Sequence, residues 1–243
     1  MDIYSKDPQI LMNFDYLTVV DGAVLPKEVN TIFESGNQAD VPVLIGSNAD
    51  EATTFDPGLL NPNATNFDYG EALSAQVSLM LPNADESIFD HYPAEPKLAK
   101  QSWVEFSTDA MFTQPMRLWA DYMQNVSSPA YLYWWDWSPI IDGSDQYGAF
   151  HAAEVPYVFG DLSNFNMAQR PEDREFSELM MTIWTNFAKT GDPSVEGAIE
   201  WPPYAPASSA TAILGEKLTI EPGIRSDRVT AITAAHSARR ASN

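Results

Sequence analysis

The sequence predicts an α/β protein with a mainly parallel sheet, flanking helices and a C-terminal hairpin. Two short segments, VPVLIGSN (41–48) and AYLYWWDW (130–137), have the apolar, β-branched or aromatic composition of strands. Long stretches with helical spacing separate them, and strands that alternate with helices are typical of parallel sheets. The segment ATAILGEKLTI (210–220) adds a predicted hairpin that turns at Gly215 and Glu216.

The first strand, at 41–48, is predicted to be buried on both faces, as strands of parallel sheets usually are. Its apolar run is nearly continuous rather than alternating, which is the pattern of such strands. In the other predicted strand, at 130–137, aromatic side chains replace the aliphatic ones.

Three further segments have the spacing and stop signals of helices. A short helix is predicted in PKEVNTIFESG (26–36), and a long one in REFSELMMTIWTNFAKTGDP (174–193), where Gly and Pro follow the last turn. The segment at 101–124 predicts two helices, because Pro115 fits the first turn of a second helix better than the interior of one. Residues 56–69 are predicted to form a loop from their Pro, Gly and Asn content.

Composition excludes several classes of partner and site. The 243 residues include 34 acidic and 13 basic side chains, for a net charge of −21, so we expect no nucleic-acid partner. The absence of cysteine excludes disulfides, thiolate metal sites and a cysteine nucleophile. No apolar run approaches the roughly 20 residues of a membrane span, and the first eleven residues lack the features of a secretory signal.

Two acids follow the first predicted strand directly. Asp50 and Glu51 stand where that strand ends, and catalytic groups of α/β proteins gather at the carboxyl ends of strands. The alternative is that both acids complement the dipole at a helix N-terminus. The residues of this segment alone favour the alternative.

The segment GAFHAAEVPYVFG (148–160) places His151 among small residues, after the second predicted strand and a polar loop. A lone histidine is more often structural than catalytic, and His91 and His236 lie in polar settings that fit the structural interpretation. His151 and Glu154 superficially resemble half of a zinc site. Neither cysteine nor another histidine is nearby, however, so the three-ligand requirement fails and we expect no metal.

Glu51 and His151 together fit the acid and the base of a hydrolase triad. In α/β-hydrolases the triad members follow the chain order serine, acid, histidine, so the serine should precede Glu51. No serine of the sequence lies in a G-x-S-x-G motif, and no Gly-rich oxyanion loop is present. The nucleophile is therefore missing from these 243 residues.

Five segments in order give the sequence a family resemblance. They are VVDGAVLP, PVLIGSNADEATTF, TDAMFTQP, GAFHAAEVPYVFG and WTNFAKTGDP with the later WPPY. They resemble the D-G-x-x-L-P segment, the G-x-N-x-D-E-x-x-x-F acid motif, the D-x-x-F-x-x-P helix, the histidine motif and the closing helix of type-B carboxylesterases. This α/β-hydrolase family includes the cholinesterases. Any one motif would be weak evidence, but five in sequence along almost the whole chain are specific.

The resemblance implies roles for individual residues. It makes Glu51 the triad acid and His151 the general base, with Asp50 as the acid to test if Glu51 fails. Glu154 matches a family acid near the histidine and is expected to support the site rather than do chemistry. Phe55, Trp184 and Phe187 are expected in the core. The implied substrate is a small-molecule carboxylic ester, and no cofactor is implied.

The resemblance also implies that residues 1–243 are the C-terminal part of a single α/β-hydrolase domain. The N-terminal part with the nucleophile elbow would be absent, so its partner is that missing half, in the same chain or a separate one. The isolated chain is expected to be an inactive segment of a serine esterase. Any signal peptide would belong to the missing half, so the compartment stays open, with a secreted or periplasmic parent enzyme among the options.

Two alternatives to the esterase segment remain. One is a non-catalytic, cholinesterase-like binding or adhesion module, because some relatives in this family act in adhesion without catalysis. The other is an unstable product of truncation, in which the exposed edge of an incomplete sheet favours aggregation.

Overall fold

The computed structural model describes residues 19–60, 67–141, 146–163, 167 and 170–241. These residues contain one four-stranded sheet in the order β1-β2-β3-β4, made of Val43–Asn48, Ala130–Trp135, Ala210–Leu214 and Thr219–Pro222. The helices α1 to α9 are Val29–Glu34, Pro57–Leu60, Tyr69–Met80, Ile88–His91, Ala99–Thr108, Gln114–Tyr122, Val155–Phe159, Pro171–Thr190 and Ser226–Ala241. Two 3₁₀ segments, Glu51–Phe55 and Met123–Asn125, and one π-helical turn, Asp109–Thr113, connect them.

The sheet confirms the predicted topology. Strand β1 pairs in parallel with β2, with Asn48 opposite Trp135, and β2 pairs in parallel with β3. Strand β4 returns antiparallel to β3 and completes the C-terminal hairpin. The carboxyl ends of the three parallel strands therefore lie at one edge of the sheet, from which the chain leaves toward Glu51 and His151.

The two faces of β2 belong to different parts of the core. Trp135 packs in one cluster with Phe176 and Met180 of α8, and its ring centroid is 5.1 Å from that of Phe176. Leu132 packs in another cluster with Met116 of α6. Because successive side chains of a strand point to opposite faces, the sheet is held between α8 and α6.

A second core lies beside the sheet, among α3, α5 and α9. Leu73, Phe106 and Ile232 from these helices are fully buried there. Ala52, in the 3₁₀ segment that follows β1, is buried in the same cluster and links the end of the sheet to it. Among the residues that the structure describes, none of the helices has both the length and the apolar character that a membrane crossing requires.

The burial predicted for the first strand was wrong in part. Val43 to Gly46 are partly exposed, and only Ser47 and Asn48 are buried. The reason is that β1 is an edge strand of the described sheet, whereas β2 has a neighbour on each side.

The helix predictions were confirmed in position, with two corrections. Helix α8 begins at Pro171 rather than 174, because Asp173 accepts the Arg170 backbone N–H and caps the helix, and it ends at Gly191 as expected. The segment 101–124 has no break between two helices. A π-helical turn joins α5 to α6 without a loop, and Pro115 lies in the first turn of α6 as predicted.

The predicted loop at 56–69 was also wrong in part. Pro57–Leu60 form one helical turn, and Tyr69 already begins α3 behind the N-cap Asp68. Residues 61–66 of this prediction lie outside the described residues.

Candidate active site

Glu51 is fixed at the start of the 3₁₀ segment that follows β1. Its side chain is buried, with the residue only 5% exposed, and its Oε1 accepts the Asn48 backbone N–H at 2.8 Å. The next residue, Ala52, donates its N–H to Thr108 Oγ1 at 3.2 Å. The Asn48 N–H therefore holds the carboxylate, and the Thr108 hydroxyl holds the backbone directly after Glu51.

His151 lies in the loop between β2 and α7, and it contacts Glu51 directly. The distance from His151 Nδ1 to Glu51 Oε2 is 2.7 Å, while 46% of the histidine side chain stays exposed. An ionised carboxylate only accepts hydrogen bonds, so the Nδ1 atom donates and Nε2 is the acceptor nitrogen of the neutral ring. Ala152, next in the chain, has a φ of 66°, in the left-handed region that residues with a Cβ seldom adopt.

The contact with Glu51 raises the pKa of His151 above its ordinary value of 6.5. The hydrogen bond to Glu51 is the main cause, partial burial opposes it, and the charges of Glu51 and Glu154 add to the increase. The pair thus favours the imidazolium, which is the state that a general base enters when it takes a proton.

Two backbone segments that carry the pair are joined by Asp50 and Ala149. The Asp50 N–H donates to the Ala149 carbonyl at 3.0 Å, and the Ala149 N–H donates to Asp50 Oδ2 at 2.9 Å. Thr53 Oγ1 lies 2.8 Å from both the Asp50 and Tyr147 carbonyl oxygens. Asp50 therefore binds the backbone of the histidine loop rather than the imidazole.

Gly148 is required at the closest point between these segments. Its φ of 59° lies in the left-handed region, and a Cβ atom there would be 2.2 Å from Asp50 Oδ2. A side chain at this position would displace the carboxylate that holds Ala149.

Buried Asn48 and partly buried Glu154 form a hydrogen-bonded bridge behind the pair. Asn48 Nδ2 donates to the Phe150 carbonyl at 2.7 Å and to Glu154 Oε2 at 2.6 Å. Burial raises the pKa of Glu154, and the hydrogen bond from Asn48 partly opposes this. Glu154 consequently fixes Asn48 and the backbone beside His151, a supporting position of the kind expected from the sequence.

Two phenylalanine rings flank the imidazole. The ring centroids of Phe55 and Phe112 lie 5.4 and 5.0 Å from that of His151, and the two phenyl rings are nearly parallel to each other. Phe55 packs on the second core as expected, but it also contacts His151. Phe112 is the phenylalanine of the D-x-x-F-x-x-P segment, but its contact with His151 was not predicted, because the sequence carries no signal of the π-helical turn that directs the ring there.

The structure thus brings the predicted acid and base together. The structure shows the contact between Glu51 and His151, while their catalytic roles stay predictions. Trp184 and Phe187 pack against Tyr133 and Tyr131, beside the core cluster that contains Trp135, as expected. Chemically, a buried carboxylate bonded to a half-exposed imidazole can orient that ring and stabilise its charge while Nε2 accepts a proton.

Comparison with known proteins gives the pair a family context. The model of the carboxylesterase family matches residues 5–232. Para-nitrobenzyl esterase of Bacillus subtilis (strain 168) is 32% identical over 208 residues, covering 83% of this chain. Neuroligin-3 of Mus musculus is 28% identical over 197 residues, covering 72% of this chain. A solved carboxylesterase of Geobacillus stearothermophilus aligns with a TM-score of 0.73 and 27% identity over 88% of this chain.

These matches cover only part of each relative. The chain spans 40% of the Bacillus subtilis esterase, 24% of neuroligin-3 and 44% of the Geobacillus stearothermophilus structure.

We predict that Glu51→Gln lowers the pKa of His151 toward about 6.5, because the neutral amide removes the charge that stabilises the imidazolium. Asp50→Asn is the matched control and should leave this pKa in place, since the asparagine oxygen can still accept the Ala149 N–H. The measurement is a titration of the histidine resonances by NMR, which is simple in a chain with three histidines.

The same pair makes stability depend on pH. A raised folded-state pKa means that the contribution of the pair to the free energy of unfolding is fully present below about pH 6.5 and is lost as pH rises through the folded pKa. His151→Ala should remove this dependence. An unaltered pH profile in that variant, or a lower His151 pKa in Asp50→Asn than in Glu51→Gln, would contradict the assignment of the pair.

We also predict that Gly148→Ala destabilises the chain more than Gly197→Ala does. Both glycines have positive φ, but a Cβ at Gly197 meets nothing within 4 Å, so that variant measures backbone strain alone. Crowding against Asp50 should add about 1–3 kcal/mol to the loss at position 148. Urea unfolding measures both, and equal losses would show that the Asp50 carboxylate does not crowd this site.

Proposed function

Because this chain belongs to the carboxylesterase family, we propose that it supplies the acid and the general base of a serine carboxylic ester hydrolase. Glu51 is the acid and His151 the base. The observation that carries the proposal is the 2.7 Å contact between Glu51 Oε2 and His151 Nδ1, with the carboxylate buried and the imidazole half exposed. The substrate class is a small-molecule carboxylic ester.

In the first step His151 acts as a base. Its Nε2 accepts the proton of a serine hydroxyl while the serine oxygen attacks the ester carbonyl carbon and forms a tetrahedral intermediate. The imidazolium that results keeps its Nδ1–H on Glu51, whose negative charge stabilises it.

In the second step His151 acts as an acid. The bond from the carbonyl carbon to the alcohol oxygen breaks, Nε2 gives its proton to that oxygen, and the alcohol leaves an acyl-enzyme. Water then repeats both steps: His151 takes a proton from water while the water oxygen attacks the acyl carbonyl carbon. The bond from that carbon to the serine oxygen then breaks, Nε2 returns the proton to the serine, and the carboxylic acid is released. No cofactor enters this sequence of proton transfers.

The nucleophile and the oxyanion donors would come from residues outside these 243. No serine of this chain stands in a G-x-S-x-G motif, and residues 1–243 would form the C-terminal part of one domain completed by the missing half. Each oxyanion donor stabilises the transition state by about 3–4 kcal/mol. Without them, and without the serine, the isolated chain should have negligible esterase activity.

The second candidate function is a non-catalytic binding module. The observation in its favour is the similarity to neuroligin-3, a relative whose name is not that of an esterase or a lipase. The buried carboxylate of Glu51, hydrogen-bonded to the half-exposed imidazole of His151, argues against this candidate. Burying a charge costs free energy, and a binding module needs neither that charge nor its partner.

The test begins with the DNA on the 5′ side of the Met1 codon. We expect it to encode a G-x-S-x-G and a Gly-rich loop. The polypeptide joined from that segment and this chain, or both parts coexpressed, should then react covalently with a serine-directed phosphonate. His151→Gln is the control, and it should slow labelling by about 10²–10⁴-fold, the usual contribution of general base catalysis.

Three outcomes would contradict the proposal. Labelling that is absent, or that proceeds equally fast in His151→Gln, would favour the binding module. Hydrolysis of a para-nitrophenyl ester by the isolated 243-residue chain, lost in His151→Gln, would place the nucleophile within these residues and contradict the split of the site.

A further inference from the structure

Arg225 lies where the C-terminal hairpin ends and α9 begins, far along the chain from Glu51 and His151. Its side chain is only 19% exposed, and its φ of 51° lies in the left-handed region, which is uncommon for a residue with a Cβ. Such a conformation persists where surrounding contacts determine it. Those contacts lead directly to the candidate active site.

One arm of the guanidinium reaches the segment that carries the acid. Arg225 Nη2 donates to the Ala49 carbonyl at 3.2 Å, and Ala49 in turn donates its N–H to the Trp135 carbonyl at 2.9 Å. Ala49 stands two residues before Glu51, between the end of β1 and the 3₁₀ segment. Its peptide groups are therefore held from both sides at the point where the chain turns toward Glu51.

The other arm reaches the segment that packs on the base. Arg225 Nη1 donates to Asp109 Oδ1 at 3.0 Å, and Tyr92 donates its hydroxyl to Asp109 Oδ2 at 2.9 Å. Asp109 is fully buried and opens the π-helical turn that carries Phe112 to the ring of His151. The guanidinium also lies 4.7 Å over the ring of Trp134, which fixes its plane.

We propose that Arg225 is a positioning residue for the Glu51–His151 pair. It contacts neither side chain of the pair, but it joins the backbone before Glu51 to the turn that packs on His151. Arginine suits this task because its rigid fork reaches a carbonyl and a carboxylate at once, whereas the single ammonium of lysine cannot hold both in the same geometry. The inference rests on the proposed function, in which the pair does the chemistry.

Arg228 provides a matched control. It lies one turn along α9, pairs with Glu105 at 2.8 Å and stacks on Tyr92 at 5.3 Å, so it combines an ion pair and an aromatic contact as Arg225 does. Neither contact reaches Ala49 or the segment that carries Glu51. Arg228 meets the Arg225 network only through the ring of Tyr92, and lysine at position 228 should leave the hydrogen bond from Tyr92 to Asp109 in place. Substitution of either arginine should lower the free energy of unfolding, but only substitution of Arg225 should disturb the contact between Glu51 and His151.

The experiment compares Arg225→Lys with Arg228→Lys in the full 243-residue chain by NMR. The readouts are the pKa of His151 and the resonance of its Nδ1 proton, with urea unfolding as the stability measurement. In Arg225→Lys we expect the pKa to fall toward about 6.5 and the Nδ1 proton to exchange faster with water, because the carboxylate is no longer held on the ring. In Arg228→Lys both should stay as in the wild type.

The outcomes separate the inference from the proposed function. An ordinary His151 pKa in the wild-type chain would contradict the pair itself, and the proposed function with it. A raised pKa that survives Arg225→Lys would overturn the role of Arg225 alone. If Arg225→Lys does not fold, Asp109→Asn weakens the same fork while it keeps an acceptor in place, and it should lower the His151 pKa to a smaller extent; no change in that variant would overturn the inference.

Discussion

The parallel pairing of β1 with β2 brings together two segments that are a hundred residues apart in the chain. Asn48 and Trp135 stand opposite each other in the last pair of this ladder, so both strands end at the same place. Glu51 follows β1 after one short turn, and the loop that follows β2 returns His151 to it. The reciprocal bonds between Asp50 and Ala149 then continue the pairing beyond the sheet.

The environments of the acid and the base differ in a way that suits their proposed roles. Both oxygens of buried Glu51 are occupied, one by the Asn48 N–H and the other by His151. A carboxylate held in this way cannot rotate away, so it determines which imidazole nitrogen holds the proton. The half-exposed ring of His151 leaves its other nitrogen for a reacting group, while Phe55 and Phe112 limit the movement of the ring.

Local sequence patterns predicted most of the sheet, the hairpin and α8, because apolar periodicity and Gly or Pro signals act over a few residues. The motif around His151, taken with the acid motif around Glu51, predicted that these two residues lie together. The contacts of Phe112 and Arg225 could not be predicted in this way. A π-helical turn depends on the packing around it, and Arg225 meets its partners across 116 and 176 residues of chain. Exposure of β1 likewise depends on which strands surround it.

The tautomer of neutral His151 shows most directly whether Glu51 holds the ring, and it is measured from the ¹⁵N shifts of the imidazole nitrogens at a pH above the pKa of His151. A proton held by Glu51 must reside on Nδ1, which leaves Nε2 free to act as the base. We predict that the Nδ1–H tautomer dominates in the wild-type chain. A dominant Nε2–H tautomer, or rapid averaging between the two, would show that Glu51 does not hold the ring and would contradict the account.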